Sequence, residues 1–345
     1  MMNMPKNTTI NDIAQALNLS RNTVSKVFNN GTGISQAVRD SVIQKAIELN
    51  YKNMAIMVNA NNEIVTTNGH FLLLYHENFT DIRYWGDVIV GVEEFMAQKK
   101  YSLLLSAIKV TQIQQRQFPQ AINNKDVQGI ICVEIYDTDY LDILQQCNLP
   151  IVSIDATPQY SGNHHMDIVL PESYDSVFAI TKHLISTGAH RIGFIGDINH
   201  CTSFNERFSG YYNALLHYGI PFLREHCIMV PNSNPYCDQD WMYKTLQDMT
   251  ILPDAFVCAN DPLAMTVYLA AKRLGVAVPD EMQITGFDDL PFDSVTTPIL
   301  STIKVDKREI GYSAASLLHN RIQSPNMPFS ILHNRSFPVL RSTTK

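Results

Sequence analysis

No apolar run in this 345-residue chain reaches the roughly 20 residues that a membrane-spanning helix needs. The N-terminus also lacks the apolar core of a signal peptide, so a soluble, cytoplasmic protein is expected. The six cysteines, at positions 132, 147, 201, 227, 237 and 258, form no Cys-x-x-Cys pair. That disfavours zinc and fits a reduced compartment, and neither a metal nor another cofactor is expected. Gly-x-Ser-x-Gly, a phosphate-binding Gly-Lys-Ser/Thr loop and His-Glu-x-x-His are all missing. Asp137 with Asp139 and Asp288 with Asp289 are neighbouring carboxylates, but neighbours in a loop do not fix a general acid and a general base. His164-His165 reads as a solvated pair. No catalytic activity is expected. Low-complexity tracts and short-period repeats are lacking too.

What is present is an ordinary globular composition, 45% hydrophobic and 17% charged, long enough for two or three domains. The formal net charge of -7 argues against a nucleic-acid partner, but it is unevenly placed. Residues 1–60 carry six basic and three acidic side chains, a net of +3, which leaves the remainder at −10. A basic head on an acidic body fits a small DNA-binding module joined to something else, with Coulomb attraction as supporting evidence only.

The stretch from Thr8 to Tyr51 organises the chain. Ile10, Ile13, Ala14 and Leu17 recur at helical spacing, and Thr9 can cap that helix with Asp12 in the capping-box position. Asn18-Leu19 makes a tight turn. Ser20 can cap a second helix whose Val24, Val27 and Phe28 face inward. The opposite face carries Arg21, Asn22, Ser25, Lys26 and Asn29, short or forked hydrogen bonders suited to base edges and phosphates in a major groove. A third helix from Ser35 to Leu49 offers Val38, Val42, Ala46 and Leu49 to close a small core. The pattern is a helix-turn-helix with the second helix as reader.

Asn-rich residues 52–69 read as a linker. From His70 onward, short apolar runs alternate with helical patterns in two rounds. Strands are expected at Phe71–Leu74, Tyr101–Ala107, Gly129–Val133, Ile151–Asp155, Arg191–Gly196, Ala255–Ala259 and Gln283–Phe287. Helices are expected at Asp87–Lys99, Ser176–Ser186, Arg207–Tyr218 and Leu263–Leu274. The expected fold is therefore an all-α N-terminal headpiece followed by an α/β core of two doubly wound subdomains. A ligand of such a core lies beyond the carboxyl ends of the strands, in the cleft between the lobes.

Thr9-Ile10-Asn11-Asp12-Ile13-Ala14, Ser20-Arg21-Asn22-Thr23-Val24-Ser25-Lys26-Val27 and Glu48-Leu49-Asn50-Tyr51 resemble the headpiece of the lactose-repressor/galactose-repressor family. Further matches are Gly188–Gly196, Arg207-Phe208-Ser209-Gly210-Tyr211, Ala259-Asn260-Asp261, Gly286-Phe287-Asp288-Asp289, Pro298–Ile303 and Arg341-Ser342-Thr343. Each block is weak alone; in this order and spacing they are strong together. The resemblance implies a periplasmic-binding-protein-like core at 70–345, after a headpiece with hinge at 1–58 and a linker at 59–69. Its N-subdomain would be about 70–166 and 305–333, its C-subdomain about 167–304 and 334–345. The family also implies a short hinge helix with an apolar minor-groove wedge. Here Asn53–Val58 could make one helical turn with Val58 or Met57 as wedge, although no basic residue follows Lys52 until Arg83.

The expected DNA contacts are Thr9, Ser20, Arg21, Asn22, Thr23, Ser25, Lys26, Asn29 and Val58. The expected effector contacts are Tyr75, Phe79, Asp155, Arg207, Tyr236, Asn260 and Asp288, with Tyr84 and Trp241 as further aromatic candidates. Arg207 offers paired donors and Asp288 acceptors, which suits vicinal hydroxyls. Plainer roles are a surface salt bridge for Arg207, an N-cap for Asp288, and a cap for Asp261 with Pro262 behind it. The resemblance implies a transcriptional regulator, a repressor by expectation, working as a homodimer on a near-palindromic double-stranded operator. Its effector would be a sugar or sugar phosphate, with a purine or protein corepressor as the alternative. A solute-binding protein would share the core but not the headpiece.

Overall fold

A computed structural model describes residues 8–28, 31–49, 51, 57–58, 64–65, 68–77, 81–158, 165–231, 235–291 and 299–345. Of Ile47, Met57, Val58, Ile64 and Val65 the backbone alone is described. The chain divides into two compact units, residues 1–70 with 96–102 and residues 71–95 with 103–345.

The N-terminal unit holds α1 (Ile10–Ala16), α2 (Arg21–Phe28) and α3 (Gln36–Glu48). Thr9 and Asp12 form a reciprocal capping box, which satisfies amides that the first turn leaves without partners. Asn18 takes φ 53° at the turn. Ser20 Oγ accepts from Thr23 N at 3.0 Å and starts α2. Ile13, Ala14, Val24, Val27, Phe28, Val42, Ile43 and Ala46 are buried together; Val38 and Leu49 pack against them, half-buried. Phe28 stacks on Tyr51 with ring centroids 5.4 Å apart. Arg39 of α3 donates to Val27 O (3.4 Å) and Gly31 O (3.0 Å), placing a cation at the C-terminal end of α2 where the helix dipole favours one. Met57–Val58 (β1) pairs antiparallel with Ile64–Val65 (β2). This corrects the expected helical turn at its C-terminal end: three of these four residues are β-branched, and such side chains favour extended backbone. Residues 53–56 lie outside the described residues.

The first lobe of the core runs β3 (His70–His76), α4 (Ile82–Lys99), β4 (Ser102–Ile108), α5 (Val110–Gln114), β5 (Val127–Val133), α6 (Thr138–Gln145), β6 (Ile151–Ile154) and β7 (Asp167–Pro171). The second runs α7 (Tyr174–Ser186), β8 (Ile192–Ile195), α8 (Thr202–His217), α9 (Gln239–Gln247), β9 (Ala255–Cys258), α10 (Asp261–Arg273) and β10 (Gln283–Thr285). Then follow β11 (Thr302–Val305), α11 (Lys307–Gln323), β12 (Ile331–Asn334) and β13 (Ser336–Val339). The first sheet is ordered β12-β7-β6-β5-β3-β4 and the second β10-β9-β8, while β11 pairs with β13. The β5-β6, β6-β7, β7-β12, β8-β9 and β9-β10 pairs are parallel. Ile130 to Val133 of β5 and all four residues of β6 are buried, as in a parallel sheet covered on both faces.

Three differences from the sequence reading matter below. Asp167–Pro171, assigned by that reading to the second lobe, is a strand of the first sheet, so the crossing falls after Pro171. Helix α8 begins at Thr202, which puts Arg207 in its second turn instead of at its start. Strand β3 extends to His76, which puts Tyr75 inside the strand instead of beyond its end.

The position of β7 is secured by a buried ion pair. Arg321 of α11 donates to Asp167 through Nε (2.9 Å) and Nη2 (3.0 Å), and the same guanidinium donates to Pro325 O (3.2 Å), Pro328 O (2.8 Å) and Met327 O. Ser330 N donates to Asp167 Oδ1 at 2.9 Å, which delivers the chain to β12. Asp167 is 0% exposed. Arg321→Ala would strand that carboxylate and three carbonyls. A loss of about 3–5 kcal/mol in core stability is expected, read from urea unfolding, with Arg321→Lys retaining part of it because an ammonium cannot match the fork.

Candidate functional sites: an exposed helix face and an interlobe cleft

In α2 the inward residues Val24, Val27 and Phe28 are buried, and Arg21, Asn22 and Lys26 are exposed on the opposite face. Ser25 and Thr23 are half-buried. The hydroxyls of Ser20 and Thr23 bond each other at 2.8 Å, and Thr9 Oγ1 donates to Asp12 at 2.7 Å. These three residues hold the helix starts in place in addition to any contact with a partner. Asn29 lies outside the described residues, as does the side chain of Val58.

Between the lobes lies a cleft of about 520 Å³. Its walls are built where strands end. Glu134 follows β5, Asp155 follows β6, Asn260 lies just beyond β9 and Asp288 beyond β10. Glu134, Asp155 and Asp288 have φ of 53°, 65° and 111°, a region side chains enter only when the surroundings require it. The turn swings each carboxyl out of the strand direction. Asp155 Oδ1 accepts from Ala156 N (2.7 Å) and Ser203 N (3.3 Å), and Oδ2 accepts from Ser203 Oγ. It therefore ties the end of β6 to the N-terminus of α8.

Arg207, in the second turn of α8, is 4% exposed. Its Nη1 donates to Ala259 O at 2.5 Å and its Nη2 lies 3.7 Å from Asp288 Oδ1. The guanidinium sits 3.6 Å over the Phe287 ring and 5.3 Å from that of Phe204. Its Nε is buried with no hydrogen-bond partner among the described residues. A buried donor left unpaired is costly, so this geometry suits an acceptor brought by a ligand.

Burial pushes Asp288 up to about 6, against the opposing pull of Arg207 and Lys307. Burial, reinforced by Asp288, pushes Asp261 up to about 8. Asp261 is a structural residue: Thr302 Oγ1 and Leu290 N donate to it at 2.5 and 2.8 Å. The cap of α10 is Asn260, whose Oδ1 accepts from Leu263 N at 3.1 Å, with Asp261 and Pro262 behind it. That use of Asn260 leaves its amide nitrogen at the cleft.

Of the expected contacts, Asp155, Arg207, Tyr236, Asn260 and Asp288 line one cleft, as does the further candidate Tyr84, while Trp241 is not among the lining residues. Tyr236 lends its ring alone, since its hydroxyl donates to Val230 O at 2.5 Å. Tyr75 is not among the lining residues, because β3 runs past it; Phe79 lies outside the described residues. The structure adds Trp85, Glu134 and Tyr136. Trp85 Nε1 donates to Glu134 at 3.1 Å, and burial keeps the Tyr136 phenol protonated. Glu134 could have been found by reading the residue after each strand, the rule that identified Asp155. Among the described residues no group of His, Cys, Asp and Glu could hold a metal, and no helix is long and apolar enough to cross a membrane.

A helix-turn-helix and a two-lobed core with a polar, aromatic cleft, joined in one chain, make up a DNA-binding regulator controlled by an effector. Residues 9–53 match the model of bacterial regulatory proteins of the lacI family, and residues 181–344 match a periplasmic binding protein-like domain. The chain is 28% identical to the HTH-type transcriptional repressor PurR of Pasteurella multocida over 340 residues, 98% of each chain. It is 28% identical to the ribose operon repressor of Haemophilus influenzae over 336 residues, 97% of this chain and 98% of the other. A lac repressor dimer bound to operator and an anti-inducer superposes with a TM-score of 0.73 at 21% identity, covering 98% and 99% of the two chains. The regulator CelR in complex with cellobiose gives 0.71 at 20% identity, covering 97% and 99%. The chain is thus similar over nearly its whole length to repressors, and its headpiece matches the lacI family model.

Asp288 has a folded-state value above its ordinary 3.8, so without ligand its contribution to stability is greatest at low pH and is lost as pH rises through about 6. A ligand whose hydroxyls donate to this carboxylate needs the ionised form. Effector affinity should therefore fall below pH 6 by up to about tenfold per pH unit, and Asp288→Asn should flatten that dependence. Calorimetric titration across pH 5 to 7.5 reads both, and a flat profile for the parent chain removes Asp288 from the ligand contacts.

Proposed function

We propose that the chain represses transcription by binding a near-palindromic operator as a homodimer, and that a carbohydrate held in the interlobe cleft alters that binding. The observation that carries the effector half is Arg207, buried beside Asp288 among aromatic rings with one donor still unpaired. The DNA half is supported by the exposed Arg21, Asn22 and Lys26 on the second helix of a helix-turn-helix. Relatives named as repressors, a dimeric neighbour on its operator and neighbours bound to ribose or cellobiose support the same reading. Acting on DNA, the protein works in the cytoplasm, and no catalytic step is assigned to it. A purine corepressor is the second reading, favoured by the relatives named PurR and by aromatic faces that could sandwich a planar base.

In this reading Arg21 pairs with guanine and Asn22 with adenine, each good bidentate pair contributing about 1–3 kcal/mol of discrimination. Thr9, Ser20, Thr23, Ser25 and Asn29 hold phosphates, and Lys26 holds a base or a phosphate. Selection on randomised half-sites should show relaxed base preference at one position for Arg21→Ala and at another for Asn22→Ala. Preferences unchanged in both variants would remove these residues as readers. Val58→Asp decides the hinge contact: parent-like operator affinity takes Val58 out of the DNA-binding set.

Arg207→Ala should keep ligand-free operator binding and weaken the response to effector, by about 1–3 kcal/mol or more in affinity. Operator titrations with and without the effector separate the two. Loss of ligand-free operator binding would instead assign Arg207 to folding or dimer formation.

A further inference from the structure

The N-terminus of a helix is a ready anion site, because its first amides lack partners and its dipole favours negative charge. Four helices of the core begin at the cleft, and each start is already filled from within the chain. At α4, Asp81 Oδ1 accepts from Arg83 N at 2.9 Å. At α8, Asp155 accepts from Ser203 N and Ser203 Oγ. At α9, Asp238 Oδ1 accepts from Trp241 N at 2.8 Å. At α10, Asn260 Oδ1 accepts from Leu263 N at 3.1 Å. All four acceptors line the cleft.

The side-chain charges point the same way. Asp81, Glu134, Asp155, Asp238 and Asp288 line the cleft against one arginine among the described lining residues, Arg207. Behind them Arg83 pairs with Asp81 (Nη2 to Oδ2 2.6 Å) and Lys307 donates to the carbonyl of Asp288, so carboxylates outnumber the cations beside them. Arg207 is committed through Nη1 to Ala259 O and lies beside Asp288, with Nε buried and unpartnered among the described residues. His200 is held below its ordinary value by burial and adds no charge at neutral pH. A phosphate or carboxylate entering here would meet carboxylates in the cleft walls and, among the described residues, helix starts already filled. A hydroxyl, which donates as well as accepts, would find acceptors on several sides, while Trp85, Phe204 and Tyr236 offer flat apolar faces to ring C–H groups.

We propose that the cleft excludes anions and selects an uncharged sugar, and that Asp81 and Glu134 set this discrimination. This narrows the carbohydrate reading above, on which it rests: of the sugar and the sugar phosphate, the chain takes the sugar. Asp81, ion-paired with Arg83, closes the start of α4, and Glu134 places charge beside Trp85.

The test uses the full chain and matched pairs of probes. Ribose and ribose 5-phosphate, glucose and glucose 6-phosphate, cellobiose, hypoxanthine, guanine and inorganic phosphate are screened by thermal shift, and each hit is titrated by calorimetry. The expected result is a shift with a neutral sugar and binding of its phosphate ester at least about a hundredfold weaker. Asp81→Asn and Glu134→Gln keep the acceptors for Arg83 N and Trp85 Nε1 while removing a charge each. Either should close the gap between sugar and ester by about tenfold, read as the ratio of the two affinities in the same variant. An ester binding as tightly as its parent sugar overturns the proposal, as does a panel in which no neutral sugar shifts the transition or a nucleobase alone does. A gap unchanged in both variants overturns the roles of Asp81 and Glu134. Arg207→Ala separates this from the cleft reading itself: a sugar that binds the variant like the parent lies elsewhere, and then the placement of the site fails. Operator selection tests the regulator reading independently of all these outcomes.

Discussion

Asp155 is the joint on which the core depends. Strand β6 ends, the chain turns through a left-handed residue, and one carboxylate holds its own neighbour's amide and the first turn of the helix that carries Arg207. Thr202 N closes the same joint on Ala156 O at 2.7 Å. A carboxylate this buried would be expensive in an apolar surrounding, and the open amides of α8 are what make it tolerable. The consequence reaches the ligand. The register of α8 against β6 decides where the guanidinium of Arg207 meets Asp288, so the donor and acceptor of the cleft are placed by a contact between residues 48 positions apart in sequence.

The second constraint is that two buried carboxyls lie close to each other. Ionising both is costly, and the environments push them apart: Asp261 to about 8 and Asp288 to about 6. They titrate as a pair, and the order matters more than either value. At neutral pH the proton stays on the Asp261 side, among Thr302, Leu290 and the turn that follows β10, while Asp288 keeps its charge beside Arg207. Separation of this kind assigns roles without any change of residue type: one carboxyl holds structure, its neighbour is available as an acceptor.

The headpiece was legible because local rules act alone there. Helical spacing, the Thr9–Asp12 box and Ser20 as a start all lie within a few residues of what they determine. The two rounds of strands were legible for a similar reason, since a buried parallel strand is a bare apolar run. What was not legible needed partners distant in sequence. Strand β7 contains Asp167, and a charged residue reads as a poor strand start until Arg321, 154 positions later, is seen to neutralise it. Helix α8 has Cys201 before it, which makes no side-chain cap bond, so its true start gave no signal and Arg207 was placed at a terminus. Tyr75 failed through a boundary two residues too short. Trp85, Glu134 and Tyr136 meet across the cleft by topology alone, and only the strand-end rule reached toward one of them.

These features bear on how a ligand could be felt at the DNA. A headpiece with a net charge of +3 is a weak anchor, and phosphate contacts lose affinity steeply with salt. Two such heads on one dimer bind tightly only while their spacing matches two half-sites, because the second contact gains from effective concentration. A cleft whose walls come from both lobes binds best at one angle between them, and a ligand moves the equilibrium only by its difference in affinity between angles. A coupling of about 1–3 kcal/mol is typical of allosteric proteins, about what one well-placed buried hydrogen bond to Arg207 or Asp288 supplies. If the chain binds operator and effector as proposed, linkage requires each to alter the affinity for the other by the same factor.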